Sequence, residues 1–102
     1  MGYSFNNQDD PADVLAKIRE IVRNGTIKLT SHCRARMLER SIDFQDLLLI
    51  LSNGEIKEPP EFSPEHRHWK WKIAGPTLDG DEATAITVVL TGRAVLVITV
   101  YA

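Results

Sequence analysis

Ala83-Thr84-Ala85-Ile86-Thr87-Val88-Val89-Leu90 and Ala94-Val95-Leu96-Val97-Ile98-Thr99-Val100-Tyr101 are two strongly apolar, β-branched runs joined through Thr91-Gly92-Arg93. Each reads as a strand, and the glycine-centred connection reads as a hairpin. Apolar residues fall on both alternating faces, the pattern of strands at the centre of a sheet. Upstream, His66 to Ile73 alternates between His66/His68/Lys70/Lys72 on one side and Arg67/Trp69/Trp71/Ile73 on the other, which makes a further strand with an aromatic face covering the core. Gly75-Pro76 is expected to break it, and Asp79-Gly80-Asp81 to turn the chain. Glu55 to Glu58 reads as a short strand stopped by Pro59-Pro60, and the proline-bounded segment 59–64 as a loop.

Helical patterns precede the strands. Asp10-Pro11-Ala12-Asp13 is a helix start: Asp10 caps free amides, Pro11 fits the first position, and Asp13 complements the positive end of the dipole. Val14, Leu15, Ile18, Ile21 and Val22 keep helical spacing until Asn24-Gly25 stops it. Thr26 to Thr30 reads as a short extended segment, with Ser31 as the cap of a second helix. A third begins at Asp43, with Ile42 and Leu47 as a hydrophobic staple and Asn53-Gly54 as its end. Helices first and strands later predict an α+β domain in which N-terminal helices cover one face of an antiparallel β-sheet.

Composition sets bounds on function. At 102 residues and 43% hydrophobic content the chain makes one domain, placed at residues 10–102 with a flexible tail at 1–9. No apolar run approaches a membrane span and no signal-peptide order is visible, so a cytoplasmic protein that avoids membranes is expected. Cys33 stands alone, which excludes an internal disulfide and fits a small buried thiol. His66 and His68 with His32 or Cys33 lack the spacing of a metal site, so no metal or other cofactor is expected. No glycine-rich phosphate loop or nucleophile elbow occurs. Net charge is −2, which argues against bulk coating of nucleic acid. Between Lys17 and Arg40, however, basic residues strongly outnumber acidic ones, while acid gathers elsewhere. That distribution suits a local anionic site.

The second helix, Ser31-His32-Cys33-Arg34-Ala35-Arg36-Met37-Leu38-Glu39-Arg40, concentrates the chemistry. His32, Arg36 and Arg40 recur every four residues and form one stripe, beside a parallel apolar stripe of Cys33 and Met37 that seats the helix. Arg34 and Glu39 fit an outward face; Leu38 fits neither. In the first turn, the helix dipole and neighbouring arginines disfavour the His32 imidazolium. Attack by a ribose 2′-hydroxyl on its phosphate needs a base, positive charge and an acid for the leaving oxygen. His32 or Glu39 supplies the base, Arg36 and Arg40 the charge. His68, Lys70 and Tyr101 offer further charge or a proton, and Trp69 or Trp71 a stacking surface if exposed. Each role has a structural rival: ion pairs from Arg36 and Arg40 to Glu39, Asp43 or Asp46, a hydrogen-bonded His32, core tryptophans, and a Tyr101 that closes the sheet edge.

Residues 26 to 102 resemble a widespread bacterial family, the domain of unknown function DUF4258. The likeness rests on His32-Cys33-Arg34-Ala35-Arg36-Met37-Leu38-Glu39-Arg40, Ile42, Asn53-Gly54 and Ile98-Thr99-Val100-Tyr101. Cys33 stands where the family pattern has alanine. That family is distantly similar to the RelE/ParE toxin superfamily, which implies helices against a curved antiparallel sheet, metal-independent ribonuclease activity, and a toxin-antitoxin setting. RNA and a small antitoxin protein are then the implied partners. On this reading His32, Arg36, Arg40 and Tyr101 are catalytic and His68, Lys70 and Arg34 bind substrate. The alternative is a non-catalytic interaction module whose arginines bind an acidic segment of a protein partner.

Overall fold

The two apolar runs form the middle of a six-stranded sheet in the computed structural model of the protein, which describes residues 5–102. The elements in chain order are α1 (Pro11–Asn24), β1 (Thr26–Leu29), α2 (Ser31–Glu39), α3 (Phe44–Asn53), β2 (Glu55–Ile56), β3 (Glu61–Ser63), β4 (His68–Pro76), β5 (Glu82–Thr91) and β6 (Ala94–Tyr101). The sheet runs β1-β6-β5-β4-β2, with β3 added on β4. The fold is α+β, as expected. Every pair is antiparallel except β1 with β6, which run in parallel with Thr26 opposite Ala94. The sheet is therefore mixed, because β6 closes beside the strand that opened the sheet and shares its direction. None of the described helices is long and apolar enough to cross a membrane.

The core gathers Val14, Ile18 and Ile21 of α1, Cys33 and Met37 of α2, and Leu47, Ile50 and Leu51 of α3. They meet Trp71, Ile73, Ala85, Val89, Val95, Val97 and Val100 of the sheet. Fully burying an aliphatic side chain of this size contributes roughly 1.5–3 kcal/mol relative to exposure. Trp71 is 1% exposed and is the largest of these side chains. Residues 1–4 of the expected tail lie outside the described residues; Phe5 is buried in the core, and the Asn6 amide donates to Asp9.

Three local departures from expectation have physical causes. Segment 59–64 contains β3, not only loop: Pro60 and Pro64 flank the strand, so neither removes a donor from its pairing with β4, and Phe62 meets Trp69 edge-on at 5.4 Å. β4 starts at His68, leaving His66 and Arg67 in the preceding turn, and it continues through Gly75-Pro76, which pair with Ala83 and Glu82. Gly75 is kept there by contact: a Cβ would lie 2.8 Å from the Gly54 Cα.

The second helix is capped by Thr30, not Ser31. Thr30 Oγ1 accepts from the Cys33 amide at 2.9 Å and donates to the Ile98 carbonyl at 2.6 Å. Ile98 is the extra residue of a β-bulge, since Ile86 pairs with Thr99 while Thr87 pairs with Val97. At its other end α2 closes in a Schellman motif: the Ile42 amide donates to Met37 O, the Ser41 amide to Leu38 O, and Ser41 has φ 56°. The third helix carries a reciprocal cap between Asp43 and Asp46. Asp46 also accepts from the Leu78 amide at 2.8 Å, tying α3 to the β4–β5 connection. That bond, with the Asp43 amide, holds its carboxyl below the ordinary carboxylate range.

Thr30→Val is expected to cost about 2 kcal/mol in urea unfolding, as a lost cap with an unsatisfied carbonyl, whereas Thr30→Ser retains most of that stability. Ser41→Gly is expected to raise stability by about 0.5–1 kcal/mol, because glycine adopts positive φ without strain. Asp46→Asn should destabilise at neutral pH. Its folded-state pKa is depressed, so the wild-type advantage is present above the unfolded carboxylate value and disappears as pH falls through the folded value; melting curves of both proteins across that range measure it.

Candidate functional site

The cap at Thr30 sets the course of α2. Its start is bonded to Ile98, and beyond its end Arg40 shares a cavity with Ala102, Ala83 and the acidic residues Asp79, Asp81 and Glu82. The helix therefore runs beside the C-terminal end of β6, where Tyr101 lies. Cys33 and Met37 point into the core, as their stripe predicts, and burial raises the Cys33 thiol pKa against the smaller opposing influence of Arg34. His32 and Arg40 are exposed and Arg36 is half-buried. Arg40 is the C-cap, so the stripe extends one residue past the regular helix.

Neither arginine is sealed into carboxylates. Arg36 reaches Glu39 at 3.4 Å, a solvated pair worth a few tenths of a kcal/mol at about this spacing. Among the described residues Arg40 forms no ion pair, and Asp46, a conceivable partner, is occupied by its cap and by Leu78.

The sheet residues divide. Tyr101 pairs with Thr84, and Thr84 with Ala74, so β5 stands between Tyr101 and β4. Lys72, one step along the same face from Ala74, is the lysine whose charge interacts with Tyr101. Lys70 is a further step away, about 7 Å along the strand, opposite Glu61; His68 lies opposite Ser63. His68 and Lys70 thus belong to the β3 end of the sheet, away from the α2 stripe. Arg34 points to the other side of α2, into a groove with Leu38 and Phe44. Trp71 is core, and Trp69 is partly covered by Phe62.

Lys72 escaped sequence reasoning as a site residue. It sits 3.6 Å from Glu58 and 3.5 Å from Glu61, which raise its pKa, Glu58 the more strongly. Its presence on the His68/Lys70 face was readable from the alternation; its acidic partners were not, because Glu58 reads as the end of a short strand and Glu61 as loop, with nothing to place either beside β4. Among the described residues no group of three or more His, Cys, Asp or Glu side chains gathers as a metal site. The α2 stripe presents one exposed imidazole and two arginines with little or no carboxylate pairing; Tyr101 ends β6 nearby, on the Lys72 face of the sheet and not on the face of its buried neighbour Val100.

No curated protein and no solved structure matches the chain. The model of one family, described as a domain of unknown function (DUF4258), matches residues 29–102, more than half of the sequence and inclusive of β1's last residue, all of α2 and all of β6. The chain belongs to the DUF4258 family.

Proposed function

We propose that this protein is a metal-independent endoribonuclease of the toxin type, related in its chemistry to the RelE/ParE superfamily that its family resembles, and held in check by a small antitoxin protein. The observation that carries the reading is the course of α2 along the C-terminal end of β6, between the Thr30–Ile98 bond and the cavity shared by Arg40 and Ala102. His32 takes the proton of a ribose 2′-hydroxyl, and the oxygen attacks the adjacent phosphorus. Arg36 and Arg40 balance the charge that builds on the phosphoryl oxygens. Tyr101 gives its proton to the 5′-oxygen as the P–O5′ bond breaks, leaving a 2′,3′-cyclic phosphate. Lys72, on the sheet face that carries Tyr101, is paired with Glu58 and Glu61 and so adds little attraction for RNA.

A second reading, a non-catalytic module holding an acidic segment of a protein partner, is favoured by the exposure of Arg34 and Arg40 without ion pairs among the described residues. The two readings separate in one assay. Defined single-stranded RNA in EDTA, with and without ribosomes, is incubated with the protein and with His32→Ala, Arg36→Ala, Arg40→Ala and Tyr101→Phe variants whose folding is checked by circular dichroism. Cleavage with cyclic-phosphate ends, reduced by about 100-fold or more in His32→Ala, is the expected result. Absence of cleavage by the wild type in both conditions rejects the nuclease and leaves the binding module.

A further inference from the structure

The side of α2 away from the stripe carries a surface that the proposed chemistry does not use. Leu29 of β1, Met37 and Leu38 of α2, and Ile42 and Phe44 at the α2–α3 junction line an open groove of about 630 Å³. Leu38 is 84% exposed and Phe44 44%. Leu38 has helical backbone on a face with no covering element, which is why it matched neither stripe of the sequence pattern. An exposed apolar cluster next to a groove of the same character marks a surface that another molecule covers.

Arg34 and Asp43 also line the groove, and they identify the occupant. Neither forms an ion pair with a described residue, and Asp43 commits Oδ1 to the Asp46 amide. The groove thus carries one charge of each sign together with a protruding leucine and a hollow to receive one. A purely acidic or purely basic segment would satisfy one charge and oppose the other. The same surface rotated by a two-fold axis satisfies both, because an isologous contact places each residue's partner on the other copy.

We propose that this groove is a self-association surface occupied by a second copy of the chain. Leu38 of each copy enters the groove of the other, and Arg34 of each faces Asp43 of the other across the rim, an apolar centre with polar edges. The His32/Arg36/Arg40 stripe lies on the opposite side of α2 and stays open in the dimer, so the inference stands apart from the nuclease reading.

Sedimentation velocity from about 1 μM to about 1 mM tests it. The wild type is expected to pass from monomer to dimer over this range, and Leu38→Glu to weaken dimerisation by about tenfold or more with an unchanged circular dichroism spectrum. R34D and D43R each place like charges opposite one another in a homodimer and are expected to be monomeric, whereas an equimolar mixture of the two restores a dimer. Both variants are first shown by circular dichroism to be folded, because D43R also removes the cap of α3, and the mixture is made from the folded proteins. A wild type that stays monomeric throughout overturns the proposal, as does a dimer that Leu38→Glu leaves intact or a mixture that fails to pair.

Discussion

The hydroxyl of Thr30 joins three parts of the molecule through two hydrogen bonds. It caps the Cys33 amide, which starts α2, and it donates to Ile98, whose carbonyl is available because β6 bulges there. A regular ladder would direct that carbonyl to a neighbouring strand or leave it to solvent; the bulge turns it toward the helix. The position of α2 over β6 then follows, and with it the burial of Cys33 and Met37 and the exposure of His32, Arg36 and Arg40. A hydroxyl that both donates and accepts suits this junction, since it satisfies one orphan group from each element. Ser31, inside the first turn, does not take that place.

The electrostatics of the surface follow from the same arrangement. The open sheet face carries Lys70 and Lys72, yet Lys72 is matched by Glu58, before Pro59-Pro60, and by Glu61 at the start of β3. On α2, Arg34 and Arg40 have no carboxylate within ion-pairing distance among the described residues, and they lie on opposite sides of one short helix. A chain with net charge −2 can therefore offer an anion a local site without a general positive field. The two arginines also divide the labour of α2: one side faces the strand end where Tyr101 lies, the other faces the apolar groove.

What could be read from the residues was what depends on local chemistry. The start of α1 at Asp10-Pro11, the Asp43 cap, the apolar spacing of α1 and α3, the β5–β6 hairpin and the core-facing Cys33/Met37 stripe all follow from side chains close in sequence. What could not be read depends on partners far along the chain. Thr30 is a cap because of Ile98, β3 is a strand because β4 lies beside it, β1 is parallel because of where β6 arrives, and Lys72 is paired by Glu58 and Glu61. Ser41 and Arg67 are exceptions at short range: positive φ is a glycine signal, and a serine or an arginine there gives none. The same limit applies to the site. The α2 stripe was visible as a helical period, while the separation of His68 and Lys70 from Tyr101 came from the register of β4, which places both beyond Lys72 toward β3.

The parallel pairing of β1 with β6 has a kinetic consequence. Thr26 finds Ala94, and Thr30 finds Ile98, each across 68 residues of chain. Contacts so distant in sequence close a large loop before they return any stabilisation, and they form late. On a ribosome, α1 and α3 can take shape while the strand that anchors β1 and α2 has yet to be made. The surface that α2 presents is thus among the last parts of the molecule to exist, and a chain interrupted before β6 would carry its arginines on an untethered segment.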